Sequence, residues 1–468
     1  MSRKAKIIGI LLVVIVLVGI SVNYVFHGGA RDLAAEEAEF TISSKDITRE
    51  FSSDVAKATL KYSDKAISIS GRVTEVSDSI VTIDNTIICK NPQIKWIRVG
   101  AHQIENPLKY FFLRLRRTIW QSYYRFFGSR FHSALKSFSL YSQDLLTEAR
   151  KHEADIIIGH NLGSIRAVVE TSKKYNALSC FDFEDYHRGE ISKKNIEFQL
   201  IKKIEDTYVV FLDRCFSASP LIAKAYQSLY PKLNIITINN CFSVNYQAKI
   251  FNEDLSPLKI FWFSQHIGKK RGLEQMISAI GLIKDQKIEL TLLGNISASN
   301  KLYFKKLIEK ENIKGVNFLP PVEEKKIFEI ASEHHIGLAS ETGKDLNNNI
   351  ALSNKIFTYL LAGNAILFSN TDAQQHFFNQ HSNIGLIYSN GSVIDLANLL
   401  RKYISQPELL KEHRFNSIEL SNSLNWENES KKLCEIHKNV SCNYCANNGS
   451  NNRYPCITPI TSAFIFDR

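Results

Sequence analysis

The sequence predicts an α/β protein. Two successive doubly wound parallel-sheet domains, the first incomplete, follow a membrane-crossing segment and a short stretch of β structure. Three observations carry this. Leu258–Ser264 reads as a buried strand, Gly268–Glu274 as a basic, glycine-punctuated loop, the next turns as a helix with Leu273, Met276, Ile277, Ile280 and Ile283 on one face, and Ile288–Gly294 as a second strand. That strand–loop–helix–strand order builds sheets whose ligands sit where strands end and helices begin. The same alternation recurs upstream, between residues 154 and 238. The first 28 residues stand apart, with Arg3, Lys4 and Lys6 ahead of an apolar run from Ile7 to about Val25. Over 468 residues, 44% hydrophobic and 22% charged composition excludes a disordered chain. A formal charge of +11 points to an anionic partner, whether phosphates, an acidic membrane or nucleic acid, without choosing among them. Cys89, Cys180, Cys215 and Cys241 lie in or beside apolar segments and read as reduced core residues.

The run from Ile7 is near the ~20 residues a spanning helix needs. Segment 1–28 is therefore expected to be a single-pass membrane anchor, with an uncleaved signal-like sequence as the alternative. Basic residues ahead of it keep the N-terminus in the cytoplasm and send the rest outside. Residues 31–50 are polar and acidic, and read as a linker leading into a helix. From Ala66 the pattern alternates through Ile67, Ile69, Val73 and Val76, then Ile80, Val81 and Ile83, with Gly71 suited to a bulge or tight bend. A helix followed by Lys61-Tyr-Ser-Asp-Lys-Ala-Ile-Ser-Ile-Ser-Gly-Arg-Val73 resembles the small tRNA-anticodon-like OB-fold family, in which a membrane-anchored helix precedes the barrel. Such a barrel needs about five strands, and Ala66–Cys89 leaves room for two or three, so segment 36–90 is expected to be a partial OB-fold β-barrel. It carries no array of stacking aromatics, so nucleic acid is not expected as its partner.

From Ile94 to Glu153 aromatics and arginines crowd together, among them Phe111, Arg114, Arg116, Trp120, Arg125 and Phe126. Two readings stay open: a basic amphipathic surface that touches membrane or a lipid-linked acceptor, or a helical hairpin whose aromatics fill the domain core. Strand-like runs follow at 154–159, 177–181, 214–218 and 234–238, separated by helices near 163–174, 193–206 and 219–229. Residues 91–255 thus form the first doubly wound domain. Residues 256–415 form the second, 416–440 a crossover helix around Trp426–Leu433, and 441–468 an irregular tail. Cys442-Asn-Tyr-Cys445 in that tail lacks the partners a zinc site needs, and no metal is expected.

Three motifs make the second domain specific: Phe263-Ser-Gln-His-Ile-Gly-Lys-Lys-Arg-Gly-Leu-Glu274, Ile336-Gly-Leu-Ala-Ser-Glu341, and Asn354-Lys-Ile-Phe-Thr-Tyr-Leu-Leu-Ala-Gly363 before the strand Ala365–Ser369. Together they resemble the donor-binding domain of the group 1 (family 4) glycosyltransferases, which have the GT-B fold of two Rossmann-like domains. With weaker matches at Ala154-Asp-Ile-Ile-Ile-Gly-His160 and Phe216-Ser-Ala-Ser-Pro-Leu-Ile-Ala223, the resemblance spans roughly residues 91–440.

The resemblance implies an enzyme that moves a sugar from a nucleotide-diphosphate donor to a saccharide or lipid-linked acceptor in surface polysaccharide synthesis, with retention of the anomeric configuration and with no bound metal or other cofactor. Arg271 stands where the family carries a phosphate-binding base, and Gly272 lets the backbone approach. His266 replaces a second arginine. Glu341 matches the first acid of the family's paired element, which faces the donor. Thr358 stands where the second acid bonds the ribose. Asn354 caps the helix there and Lys355 reaches phosphate, unless both only begin a helix. His160, at the carboxyl end of a buried strand, is the acceptor-side catalytic or sugar-contacting candidate, with helix capping as the alternative; Asp182, Glu184, Asp185 and His187 form an acidic cluster after the next strand. Three departures predict little transferase activity: the missing βαβ unit, which leaves a sheet edge open; Thr358 for a carboxylate; and an anchor that separates the donor site from cytoplasmic nucleotide-sugars. The competing reading is a non-catalytic, membrane-anchored OB-fold binding protein fused to a glycosyltransferase remnant.

Overall fold

The computed structural model describes residues 40–53, 55–62, 67–70, 73–76, 80–83, 87–90, 97, 99–101, 106–248, 254–283, 287–433 and 462–466. The apolar run of segment 1–28, Gly71 and the Cys442–Cys445 pair lie outside them. Among the described residues no helix is long and apolar enough to cross a membrane. The chain divides into two compact units, Met1–Arg116 and Arg117–Arg468.

In the first unit β1 (Phe40–Ser43) runs parallel to β2 (Ile67–Ser70), with Phe40 opposite Ile67. Between them lie α1 (Ser44–Ser53) and α2 (Val55–Tyr62). Within the stretch read as a linker, residues 40–43 form a strand and residues 44–50 belong to a helix. Ser43 ends the strand and starts the helix, its Oγ accepting from the Asp46 N–H at 3.2 Å, as an N-cap does. Glu50 of α1 takes Lys61 Nζ at 2.8 Å and the Tyr62 hydroxyl at 3.0 Å, tying α1 to α2 over buried Ile47, Ala58 and Tyr62. Three further strands, β3 (Val73–Val76), β4 (Ile80–Ile83) and β5 (Ile87–Lys90), form an antiparallel meander. Four strands thus occupy the span expected to hold two or three, because each is only four residues long.

The second unit contains two parallel sheets. The helix α3 (Pro107–Phe127) leads into it, followed by α4 (Ser133–Phe138) and α5 (Ser142–Ala149). Then strands and helices alternate: β6 (Ile156–His160), α6 (Ile165–Tyr175), β7 (Leu178–Phe183), α7 (Ile196–Tyr208), β8 (Arg214–Ser217), α8 (Pro220–Leu229) and β9 (Ile235–Thr237). Pairing is parallel throughout, in the order β16-β6-β7-β8-β9. The outermost member, β16 (Ser462–Phe466), comes from the tail read as irregular, and pairs Ser462–Phe466 residue for residue with Ile156–His160. The edge expected to lie open beside β6 is therefore occupied. An unpaired row of N–H and C=O groups is costly, and Ala463-Phe-Ile-Phe466 has the apolar, β-forming composition to satisfy it. Cys180, Cys215 and Cys241 are buried free thiols, as their apolar settings predicted.

The second sheet has the order β12-β11-β10-β13-β14-β15, all parallel. Its strands are β10 (Leu258–Ile267), β11 (Ile288–Ile296), β12 (Val316–Leu319), β13 (Ile336–Ala339), β14 (Ala365–Ser369) and β15 (Gly385–Tyr388). The connecting helices are α9 (Leu273–Gly281), α10 (Ala298–Lys310), α11 (Glu324–Ser332), α12 (Leu346–Ile350), α13 (Lys355–Ala362) and α14 (Asp372–Gln380), with α15 (Val393–Ser405) and α16 (Pro407–Ser421) after the last strand. Alternate residues of one strand enter opposite cores: Ile260 and Trp262 join Leu290, Leu292 and Leu338, whereas Phe261 joins Leu293, Ile366 and Phe368. Burial on both faces is why these strands read as continuous apolar runs. The two sheets are tied by buried bonds. Ser219 donates to the Ile350 carbonyl at 2.6 Å, and Asn347 bridges the Tyr186 N–H and Asp185 at 2.7 Å each. The helical turns over residues 426–433 reach back to the first sheet, where Glu429 accepts from Asn239 and Lys432 donates to the Thr237 carbonyl.

Candidate donor and acceptor sites

The donor-side candidates converge where β10 and β13 end and α9 and α13 begin. Gly272, the residue before α9, has φ +77°, and a Cβ there would lie 2.6 Å from Ser340 Cβ. Only glycine takes that conformation against that neighbour without strain. The close approach locks the basic loop onto the end of β13: Ser340 donates to the Arg271 carbonyl at 2.7 Å. The leading N–H groups of α9 have no partners within the helix, and Arg271 is exposed beside them, its Nη1 donating to Ser264 Oγ. Loop and helix end present positive potential to solvent at one place, the setting an oxyanion favours. His266 lies exposed near the end of β10, where pairing with β11 resumes after an irregularity between Phe263 and His266.

One residue beyond Ser340, Glu341 turns toward α13. Its Oε1 accepts from Lys355 Nζ at 2.7 Å and from Ser353 Oγ at 2.9 Å. Burial opposes ionisation of this carboxyl, but the Lys355 ammonium and the Ser353 and Asn348 hydrogen bonds outweigh it and hold the group down at about 2. Glu341 is thus a carboxylate with its charge already matched. Lys355 also sits 5.7 Å from the centroid of the Trp262 ring. Asn354 precedes α13 but makes no side-chain cap. Thr358 is placed one turn into α13 and is 1% exposed, its N–H reaching the Asn354 carbonyl at 3.4 Å. Glu341 and Lys355 are brought together, Arg271 and Gly272 adjoin them through Ser340, and Thr358 lies beneath. Ser264, Ser340, Ser353 and Asn348 were not singled out in the sequence; small polar residues on a strand, in loops and in a short helix carry no signal until the chain's path is known.

On the first sheet, His160 ends β6 and Asp182 lies beside it on β7, in register. His160 Nδ1 is 3.1 Å from Asp182 Oδ2 and 3.6 Å from Glu184 Oε1. Burial would lower the imidazole's pKa, but the two carboxylates raise it to about 9, so the ring is an imidazolium at neutral pH. The ligand atoms of all three lie within 4.8 Å of one another. The expected acidic cluster divides: Asp182 and Glu184 face His160, Asp185 goes to Asn347, and His187 is buried with its pKa lowered by that burial. Nearby, burial together with Asp185 and Asp345 pushes Glu190 up to about 7.

Comparison with solved structures places this architecture. The fold is similar to sucrose-phosphate synthase from Thermosynechococcus elongatus (TM-score 0.55, 12% identity, covering 86% of this chain and 99% of that one). It is similar to HepE of Anabaena in complex with UDP (TM-score 0.54, 13% identity, 64% and 82%) and to a glycosyltransferase from Rickettsia africae (TM-score 0.52, 15% identity, 64% and 80%). The α/β part has a glycosyltransferase-type fold with parallel sheets. At the other end, a family model described as tRNA_anti-like matches residues 1–99. The chain is composite, with a tRNA_anti-like segment ahead of a glycosyltransferase-type fold. No curated protein matches it in sequence.

Proposed function

We propose that this protein is a retaining glycosyltransferase of the family 4 kind, which transfers a sugar from a nucleotide-diphosphate donor to a saccharide or lipid-linked acceptor hydroxyl in surface polysaccharide synthesis. The observation that carries the reading is the junction of the Gly272 turn, Arg271 and the Glu341–Lys355 pair at the carboxyl ends of β10 and β13. HepE, of the same fold, is solved with UDP and with UDP-glucose. Transfer breaks the bond between the anomeric carbon and the diphosphate oxygen, and joins that carbon to the acceptor oxygen. The diphosphate leaves with the bonding electrons, and the acceptor's proton passes to a departing phosphate oxygen. Arg271 and the α9 N-terminus stabilise that growing charge. Glu341, ionised and held by Lys355, accepts hydrogen bonds from the donor. The His160 imidazolium, oriented by Asp182, donates to a sugar hydroxyl.

Pairing of β6 by β16 covers the sheet edge expected to lie open, while the missing first βαβ unit, the anchor and Thr358 still argue for a weak enzyme. Thr358 in place of a ribose-binding carboxylate remains, and predicts weak donor affinity. The test is transfer of radiolabelled sugar by membranes that carry the full chain, across UDP- and GDP-sugars. Transfer above an Arg271→Ala control is expected; transfer equal to it with every donor overturns the reading.

A further inference from the structure

The sequence left the aromatic, arginine-rich segment open between a surface and a core helix, and the helix α3 is partly each. At 3.6 residues per turn, Leu108, Phe111, Leu115, Ile119 and Phe126 fall in one stripe, and all five are between 44% and 81% exposed. The far side packs: Leu113 is fully buried, Arg117 Nε donates to the Ser137 carbonyl at 3.1 Å, Gln121 reaches the same carbonyl at 3.2 Å, and Lys136 lies over the Trp120 ring at 4.1 Å. These contacts fix which face looks outward. Arg114 and Arg125 share the exposed face with the stripe, and Lys109 and Arg116 flank it. From Pro107 to Phe131 the chain has six basic residues and no acidic one.

We propose that this face of α3 lies in the interfacial region of an anionic lipid bilayer. Exposed leucine, isoleucine and phenylalanine at helical spacing provide the apolar insertion, and the arginines beside them meet lipid phosphates. Charge complementarity selects the occupant. A face with a uniformly basic margin calls for a negatively charged surface, while nucleic acid has no use for an aliphatic stripe between its phosphate contacts. At roughly 30 Å long, α3 would lie along the surface rather than across it, since no described helix is apolar enough to cross.

The test uses the full chain with the photo-crosslinking residue p-benzoylphenylalanine in place of Ile119, and in a second protein in place of Lys305, an exposed position on α10. Each is irradiated with vesicles of equal parts phosphatidylglycerol and phosphatidylcholine, and with phosphatidylcholine alone. The expected result is lipid adducts at position 119, few at 305, and a drop of roughly an order of magnitude when phosphatidylglycerol is omitted or when Arg114→Gln and Arg125→Gln are combined. The position-305 control separates insertion of this face from general tethering by the N-terminal segment. Adducts at 119 to the chain itself, to a second copy or to another protein overturn the proposal, as does lipid labelling equal at both positions or indifferent to lipid charge.

Discussion

Gly272 is where the donor-side loop is most exacting. An added methyl group meets both an unfavourable φ of +77° and Ser340 Cβ at 2.6 Å. Gly272→Ala is expected to lose on the order of 2 kcal/mol of stability and to weaken UDP binding, because the loop must lift off β13; denaturant melts and calorimetry measure both. For the neighbouring cation, Arg271→Ala should weaken UDP or GDP binding at least about tenfold, since a charged phosphate contact contributes well over 1 kcal/mol. His266→Ala should change it by less than about threefold; equal losses would remove Arg271 from the phosphate site. Glu341 carries a pH signature. Its pKa is depressed from 4.5 to about 2, so its pairing stabilises the fold above 4.5 and that contribution is lost as pH falls through 4.5 toward 2. Glu341→Gln should cost on the order of 2 kcal/mol at pH 7, and the gap from wild type should close over that acid window in pH-dependent melts. A gap constant from pH 7 to pH 2 would mean that the Lys355 pairing does not form in solution.

At the level of elements, β16 is the departure with most consequence. It pairs along the whole of β6, so a chain that stops after residue 461 would expose five residues of strand edge. Such edges recruit other strands. The truncated protein is expected to be less stable by a few kcal/mol and to self-associate at concentrations where the full chain does not, as light scattering and denaturant melts would report. Unchanged stability would show that the strand does not hold the sheet. The signal lay in the short continuous apolar run Ala463–Phe466, hidden behind a preceding stretch without periodicity.

Across the whole second unit, hydrogen bonds between connecting segments join the two halves. Asn347, 9% exposed, accepts from the Tyr186 N–H and donates to Asp185. Asn347→Ala leaves both partners unsatisfied, and is expected to cost about 2 kcal/mol and to broaden the thermal transition as the halves uncouple. A calorimetric profile that keeps its width and midpoint would place the coupling elsewhere, in the Ser219–Ile350 bond or the turns around Glu429.

The sequence by itself determined the parallel α/β character of both halves and nine of their strands, β6 to β11 and β13 to β15, and it offered Arg271, Gly272, Glu341 and Lys355 as donor-side candidates. Apolar periodicity and strand-end position are local properties, and they survive in one dimension. Only the tertiary structure decided which strand covers β6, because a pairing between residues 156–160 and 462–466 leaves no local trace. It also decided that Glu341 is matched by Lys355 at 2.7 Å, and that the aromatic helix buries Leu113 while exposing Phe111 and Phe126. A residue's chemistry is written in its own letter, whereas its partner, its charge state and the side it shows to solvent are set by segments that folding brings to it.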